Sequence, residues 1–180
     1  NQSQTAMSVV IRAADLDVFT NVQTQTESPS FGGSKTGCSV VSNRLRITDP
    51  SSAPSTATYD FSAYIDTGSV RVARVNMEMT VVRLNDATTD TFDTLTGNFD
   101  DLAGLFDDLT GGSSFSDNDV IQFVSTTDDN PASSPTWSAY KRFKSGDFSG
   151  RAFRFRVQLE STANDITPAL SALAAKVRYN

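Results

Sequence analysis

A chain of 180 residues carrying 15 basic and 21 acidic side chains, for a net charge of −6, is long enough for one domain with a real core. The acidic balance excludes a general nucleic-acid binder and gives no attraction to anionic membranes. With no histidine, the commonest general base and metal ligand is missing, and no apolar run approaches the roughly 18 residues of a membrane span. The single Cys38 cannot form an intrachain disulfide and reads as a buried free thiol. Asn1 opens the chain without an initiator Met or a signal-type segment, so the sequence is expected to be a piece of something longer.

Residues 1–38 read as an N-terminal arm or linker. Met7, Val9 and Ile11 alternate as a short strand or an arm on a neighbour would, and the polar run from Gln23 to Ser30 reads as a loop. Gly32 to Gly37 has a superficial likeness to a phosphate loop, but Ser34 separates Gly33 from Lys35 and the residues after Gly37 are strand-like, so it reads as a turn. A sandwich domain is expected over 39–180. It begins with two short strands, Ser39-Val40-Val41 and Arg44 to Ile47, around a turn at Asn43.

Thr58 to Asp66 alternates, with Tyr59, Phe61, Ala63 and Ile65 inward and Asp60, Ser62 and Tyr64 outward. Val70 to Leu84 is the longest extended stretch. Its apolar parity slips twice, which predicts β-bulges or a strand bending between layers. Further strands are expected over 119–125 and, most clearly, at Phe153, Phe155, Val157 and Leu159, which alternate with Arg154, Arg156, Gln158 and Glu160. A solvated face or cross-strand ion pairs account for the two arginines. Leu170 to Tyr179 fits a helix or a strand. The strand is preferred, as an antiparallel partner for 153–159. Alternation with one wet face predicts an all-β, antiparallel β-sandwich.

Residues 85–118 read as a turn-rich insertion. Within it, Phe92 to Gly112 repeats Phe-Asp-x-Leu-x-Gly-x three times, and a glycine in every heptad favours successive turns over a helix. A long surface connection rich in Phe makes Phe92, Phe99, Asp100, Asp101, Phe106, Asp107 and Asp108 candidates for contact with a partner chain, against the alternative that the rings fold back on the parent sheet. The aspartate spacing matches neither of the usual calcium loops, so no metal or other cofactor is expected.

A Ser-His-Asp triad cannot be built without histidine. Glycoside hydrolysis needs only two carboxylates roughly 5–10 Å apart, and 21 acidic residues make such a pair available without pointing to one. No catalytic residue is therefore assigned, and a non-enzymatic protein is expected. Trp137, Tyr140 and Tyr64 are the candidates for stacking on sugar rings, with core packing as the commoner role for such rings. Trp137, Tyr140 and Phe143 lie three apart, which suits one helical turn or an extended strand with a corner.

Tyr59-Asp60-Phe61-Ser62-Ala63-Tyr64-Ile65-Asp66-Thr67-Gly68 and the stretch from Phe148 through Ser161 to Leu170 resemble β-sandwich domains in tail-tip and host-specificity (tail fibre) proteins of tailed bacteriophages. The Phe-Asp-Asp turns are similar to aromatic-Asp-Asp turns of the same proteins. The resemblance covers about two thirds of the chain, from near Ser39 onward. It implies a jelly-roll or galactose-binding-domain-like sandwich and a structural or receptor-facing role in the virion tail. It also implies a non-enzymatic, oligomeric component, so a homo-oligomer and other tail proteins are the expected partners, with a host surface glycan as a further candidate. A free-standing carbohydrate-binding module is the alternative, and a sandwich glycosidase stands behind it. Nucleic acid and membrane insertion are not expected.

Overall fold

The computed structural model describes residues 19–49, 55–85, 120–161 and 166–180. The Phe92–Gly112 repeat, with Phe92, Phe99, Asp100, Asp101, Phe106, Asp107 and Asp108, lies outside the described residues, as does the Met7-Val9-Ile11 stretch.

The described residues form ten strands: β1 (Asn21–Thr26), β2 (Ser34–Thr36), β3 (Cys38–Val41), β4 (Arg44–Ile47), β5 (Ser55–Asp60), β6 (Ile65–Asn85), β7 (Val120–Thr127), β8 (Lys141–Phe143), β9 (Ser145–Ser161) and β10 (Ile166–Tyr179). They make one sheet in the order β2-β5-β9-β6-β10-β4-β3, with β1 on β10, β7 on β9 and β8 on β7. Every pairing is antiparallel, and the sheet curls until it nearly closes into a barrel-like sandwich. The all-β antiparallel expectation holds.

β9 is the spine. Phe153, Phe155, Val157 and Leu159 are fully buried, each contributing about 1.5–3 kcal/mol of apolar burial, while Arg154 and Arg156 stand on the opposite face. Along one side β9 pairs with β7; along the other its first half pairs with the start of β6 and its last six residues pair with β5. Tyr59, Phe31, Leu45, Leu170, Leu173 and Val177 complete the centre of the core. Cys38 is free and buried, and burial pushes its thiol pKa up. Ser42 and Asn43 both take positive φ (50° and 60°), the two-residue turn whose twist matches a hairpin, and they join β3 to β4 where Asn43 marked a turn.

Four readings change. Residues 21–38, expected within an arm or linker, belong to the sandwich: β1 pairs with β10 from Asn21↔Tyr179 to Thr26↔Ala174, and Phe31 is fully buried. β1 has no apolar alternation to betray it, because its half-buried side are glutamines. Gln23 Nε2 donates to Tyr179 Oη at 2.7 Å and to the Asp66 carbonyl at 3.2 Å. Within the Gly32–Gly37 turn, Ser34–Thr36 is a short strand on β5. β10 is a strand as expected, but its main partner is β6, not β9. A register shift between Leu170 and Ala172 lets Leu170 and Leu173 both face inward, which is why their spacing also suited a helix. Finally, the strand expected over 58–66 is broken at 61–64, where Ala63 and Tyr64 are exposed. The second parity slip of β6, at Val81 and Val82, lies beside the register shift against β10 (opposite Thr80 and Val81). The first, between Val72 and Val75, is no bulge, because Arg71 to Asn76 pair with β9 without a break and the register shift there falls earlier, between Asp66 and Arg71. Val70 and Val72 are left outward, and Ala73, Val75 and Met77 inward.

Candidate functional site

The break at 61–64 organises a site. Asp60 is opposite Arg156 and Ile65 is opposite Phe153, so four residues on the β5–β6 side face only two, Arg154 and Phe155, on β9. The surplus must bulge out of the sheet. Phe61 keeps one ladder bond, its N–H donating to the Phe155 carbonyl at 3.0 Å, and its ring packs 5.5 Å from that of Phe155. Beyond it the chain rises to present Tyr64, 42 % exposed.

The opposite wall comes from the segment between β7 and β8. The Asp129 carboxylate accepts from Thr136 N–H at 2.9 Å, and Asn130 closes a turn by accepting from Ala132 N–H at 3.1 Å. The chain then lies extended along β7: Ser138 N–H donates to the Thr126 carbonyl, Ser138 Oγ accepts from Thr126 N–H, and Ser125 Oγ donates to the Ser138 carbonyl at 2.6 Å. This fastening carries Trp137 and Tyr140 over the outward face of β9. The extended alternative, rather than a helical turn, describes these residues.

Between the walls lies an open pocket of about 400 Å³, lined by residues 60–64 and 154–156 with Trp137 and Tyr140. All three sugar-stacking candidates, Tyr64, Trp137 and Tyr140, converge on it from two distant stretches of chain. The Tyr64 and Trp137 rings are 6.1 Å apart and inclined at 50°. The guanidinium of Arg154 sits 4.7 Å from the Trp137 ring centre and 4.9 Å from that of Tyr140, and the guanidinium of Arg156 sits 4.3 Å from Tyr140. Such cation–π contacts fix the rings at about 0.5–1 kcal/mol each where partly exposed.

Asp60 receives Arg156 through both oxygens, at 2.7 and 2.9 Å, in the cross-strand pairing that the register sets up, and it also accepts from the Tyr140 hydroxyl at 3.1 Å. Burial and the Asp60 charge push the Tyr140 pKa up to about 12, and the Asp60 hydrogen bond raises that of Arg156. Asp60, Arg154 and Arg156 thus belong to the site, although the sequence offered them only as a wet face. Their alternation was legible, but the bulge that turns that face into a pocket was not.

Beneath the same bulge lies a buried polar cluster around Glu27, only 3 % exposed. Its carboxylate accepts from Ser62 N–H (3.1 Å), Ser62 Oγ (2.8 Å), Gln25 Nε2 (2.9 Å) and the Tyr59 hydroxyl. Tyr59 Oη in turn accepts from Gly33 N–H at 2.9 Å. Burial, together with the Glu27 contact, raises the Tyr59 pKa. A side chain at Gly33 would place its Cβ 1.9 Å from the Asp60 carbonyl, so that approach requires glycine. Phe31, at φ 46° and fully buried, packs edge-on to Tyr59 at 5.9 Å. Residues 25–33 therefore anchor the root of the bulge whose crest carries Tyr64.

No protein-family model matches the chain, and no curated protein is significantly similar to it.

Proposed function

We propose that this chain is a non-enzymatic, receptor-facing β-sandwich of a tailed-phage tail tip, and that its pocket holds a sugar of the host surface. The observation that carries the binding role is the convergence of Tyr64, Trp137 and Tyr140 on one open pocket whose volume falls in the range of small-molecule sites. Rings of this kind offer flat apolar surface to the apolar face of a sugar, with polar groups at the rim to orient its hydroxyls. The tail-tip assignment is supported by the resemblance of residues 59–68 and 148–170 to tail-tip sandwich domains.

Binding is favoured over hydrolysis by the carboxylates. Asp60 is the one carboxylate among the described lining residues, and it is held by Arg156 and Tyr140. A glycosidase needs a second carboxyl group across the substrate. The test is a glycan array probed with the intact chain and with a Tyr64→Ala/Trp137→Ala double variant. A defined set of glycans should be retained by the chain and lost by the variant, whose melting temperature should stay close to the parent's. An array with no bound glycan would remove the reading. Release of sugar from a bound glycan would replace it with the glycosidase. Tail-assembly genes beside this chain's own gene are the observation expected for the tail-tip half of the proposal.

A further inference from the structure

Arg154 and Arg156 stand two residues apart on one face of β9, yet their surroundings differ. Arg156 is neutralised by Asp60, directly opposite it in the ladder. Arg154 faces the bulge on that side and Ser125 on the other, so neither neighbouring strand sets a carboxylate against it. Its Nε donates to Ser125 Oγ at 3.2 Å. Among the described residues, neither of its terminal nitrogens has a protein acceptor and no ion pair reaches it. Its charge is held in place by two aromatic rings and one hydroxyl, in a pocket where Asp60 is already matched by Arg156. In a chain whose net charge is −6, the described pocket lining carries two guanidinium groups against one carboxylate.

From this geometry we infer that the pocket selects sugars bearing a carboxylate, uronic or sialic acids as a class, and that Arg154 is the residue that reads the acid. The inference rests on the glycan-binding reading above and narrows its ligand. The terminal nitrogens of a guanidinium form a planar fork that matches a carboxylate through two parallel hydrogen bonds, which a lysine ammonium cannot reproduce. Because Arg154 lies against Trp137, a sugar stacked on the Tyr64–Trp137 wall has its ring substituents within the reach of that fork. Neutral sugars would leave the fork unused and lose the charge-assisted contribution.

The test uses the intact chain and a panel of acidic oligosaccharides (oligogalacturonide, alginate, hyaluronan and sialylated glycans), each beside its carboxyl-reduced counterpart, with binding measured by titration calorimetry. The acidic member of each bound pair should bind at least tenfold more tightly than the reduced one. Arg154→Gln should weaken acidic binding roughly ten- to a hundredfold and neutral binding by no more than a few-fold, the part owed to the Trp137 and Tyr140 rings that Arg154 packs against, and Arg154→Lys should recover only part of the acid-specific loss. Equal affinity within pairs, or acidic binding untouched by Arg154→Gln, overturns the inference while leaving the glycan reading in place. No binding by any member removes both. If Arg154→Gln does not fold, the paired measurement on the unsubstituted chain decides alone.

Discussion

Two tyrosine–carboxylate pairs lie on either side of the 61–64 bulge, and they have opposite characters. Tyr59 and Glu27 are sealed beneath it, and the carboxylate's acceptor capacity is taken up by Tyr59, Ser62 and Gln25. Tyr140 and Asp60 are in the open pocket above it, where Asp60 is satisfied but the terminal nitrogens of the neighbouring Arg154 have no acceptor among the described residues. A buried polar group left without a partner costs more than its hydrogen bond was worth, so the lower cluster must be complete. A pocket open to water carries no such requirement, because solvent or a ligand can serve the spare donors. The complete cluster acts as a clamp, and the incomplete one is a site. Both depend on the same few residues, since Ser62 is held by Glu27 while Tyr64, two positions on, forms the pocket wall.

Breaking the clamp should have the largest effect. Glu27→Ala leaves the fully buried Tyr59 hydroxyl without its acceptor and frees the Ser62 donors that tie the bulge down, and should cost about 2–4 kcal/mol of stability. Urea denaturation with an unchanged m-value would measure it. A cost of only a few tenths would show that water replaces the carboxylate and that the clamp is not one.

Gly33→Ala comes next. Its Cβ would be driven into the Asp60 carbonyl, with a cost of about 1–3 kcal/mol from the shift it forces. Because the displaced carbonyl belongs to Asp60, this variant should also alter ligand binding in the pocket. Loss of stability with binding untouched would uncouple the two regions.

The pocket pair should show itself at high pH. The folded pKa of Tyr140 is raised, so the neutral phenol is the favoured form; its contribution to stability is full below the ordinary tyrosine pKa of about 10 and is lost as pH rises through about 12. Comparison of the tyrosinate absorbance of the chain with that of Tyr140→Phe should reveal a component titrating near pH 12. A Tyr140 that titrates with free tyrosine would dissolve its pairing with Asp60. At the acid end, burial opposes ionisation of Asp66, but the Arg151 contact and the Gly68 N–H outweigh it and lower the pKa. Stability from that pair should be present above the unfolded carboxylate pKa and fall away as pH drops through the folded one. Asp66→Asn should flatten this part of the acid denaturation curve.

The smallest stability effect belongs to the crest. Tyr64 is 42 % exposed, so Tyr64→Ala should change the folding free energy by about 0.5 kcal/mol or less, while weakening any ligand that stacks there. A large destabilisation would make Tyr64 part of the core.

The strands that face water on one side and core on the other were readable from the chain alone. Phe153 to Leu159 alternates because successive side chains of a strand point to opposite faces, and burial of one face is recorded directly in residue type. The same local rule exposed the turn at Asn43 and the irregularity of β6 near Val81, while the slip between Val72 and Val75 came from valines that simply face outward. It could not find β1, whose half-buried glutamines satisfy distant partners such as Tyr179 and whose polarity looks like a linker. Nor could it choose β6 over β9 as the partner of β10, because pairing depends on which strand edges remain free once the sheet has curled. The aromatic residues of the pocket were legible as candidates, but their meeting was not. Tyr64 and Trp137 are more than seventy residues apart in sequence. They face each other because four residues on the β5–β6 side oppose two on β9, and because a buried Glu27, just past the end of a strand with no apolar signature, holds the surplus in place. Residue type sets what a side chain can do. Register, a property of two strands at once, decided which arginine found a carboxylate and which, among the described residues, was left with open donors.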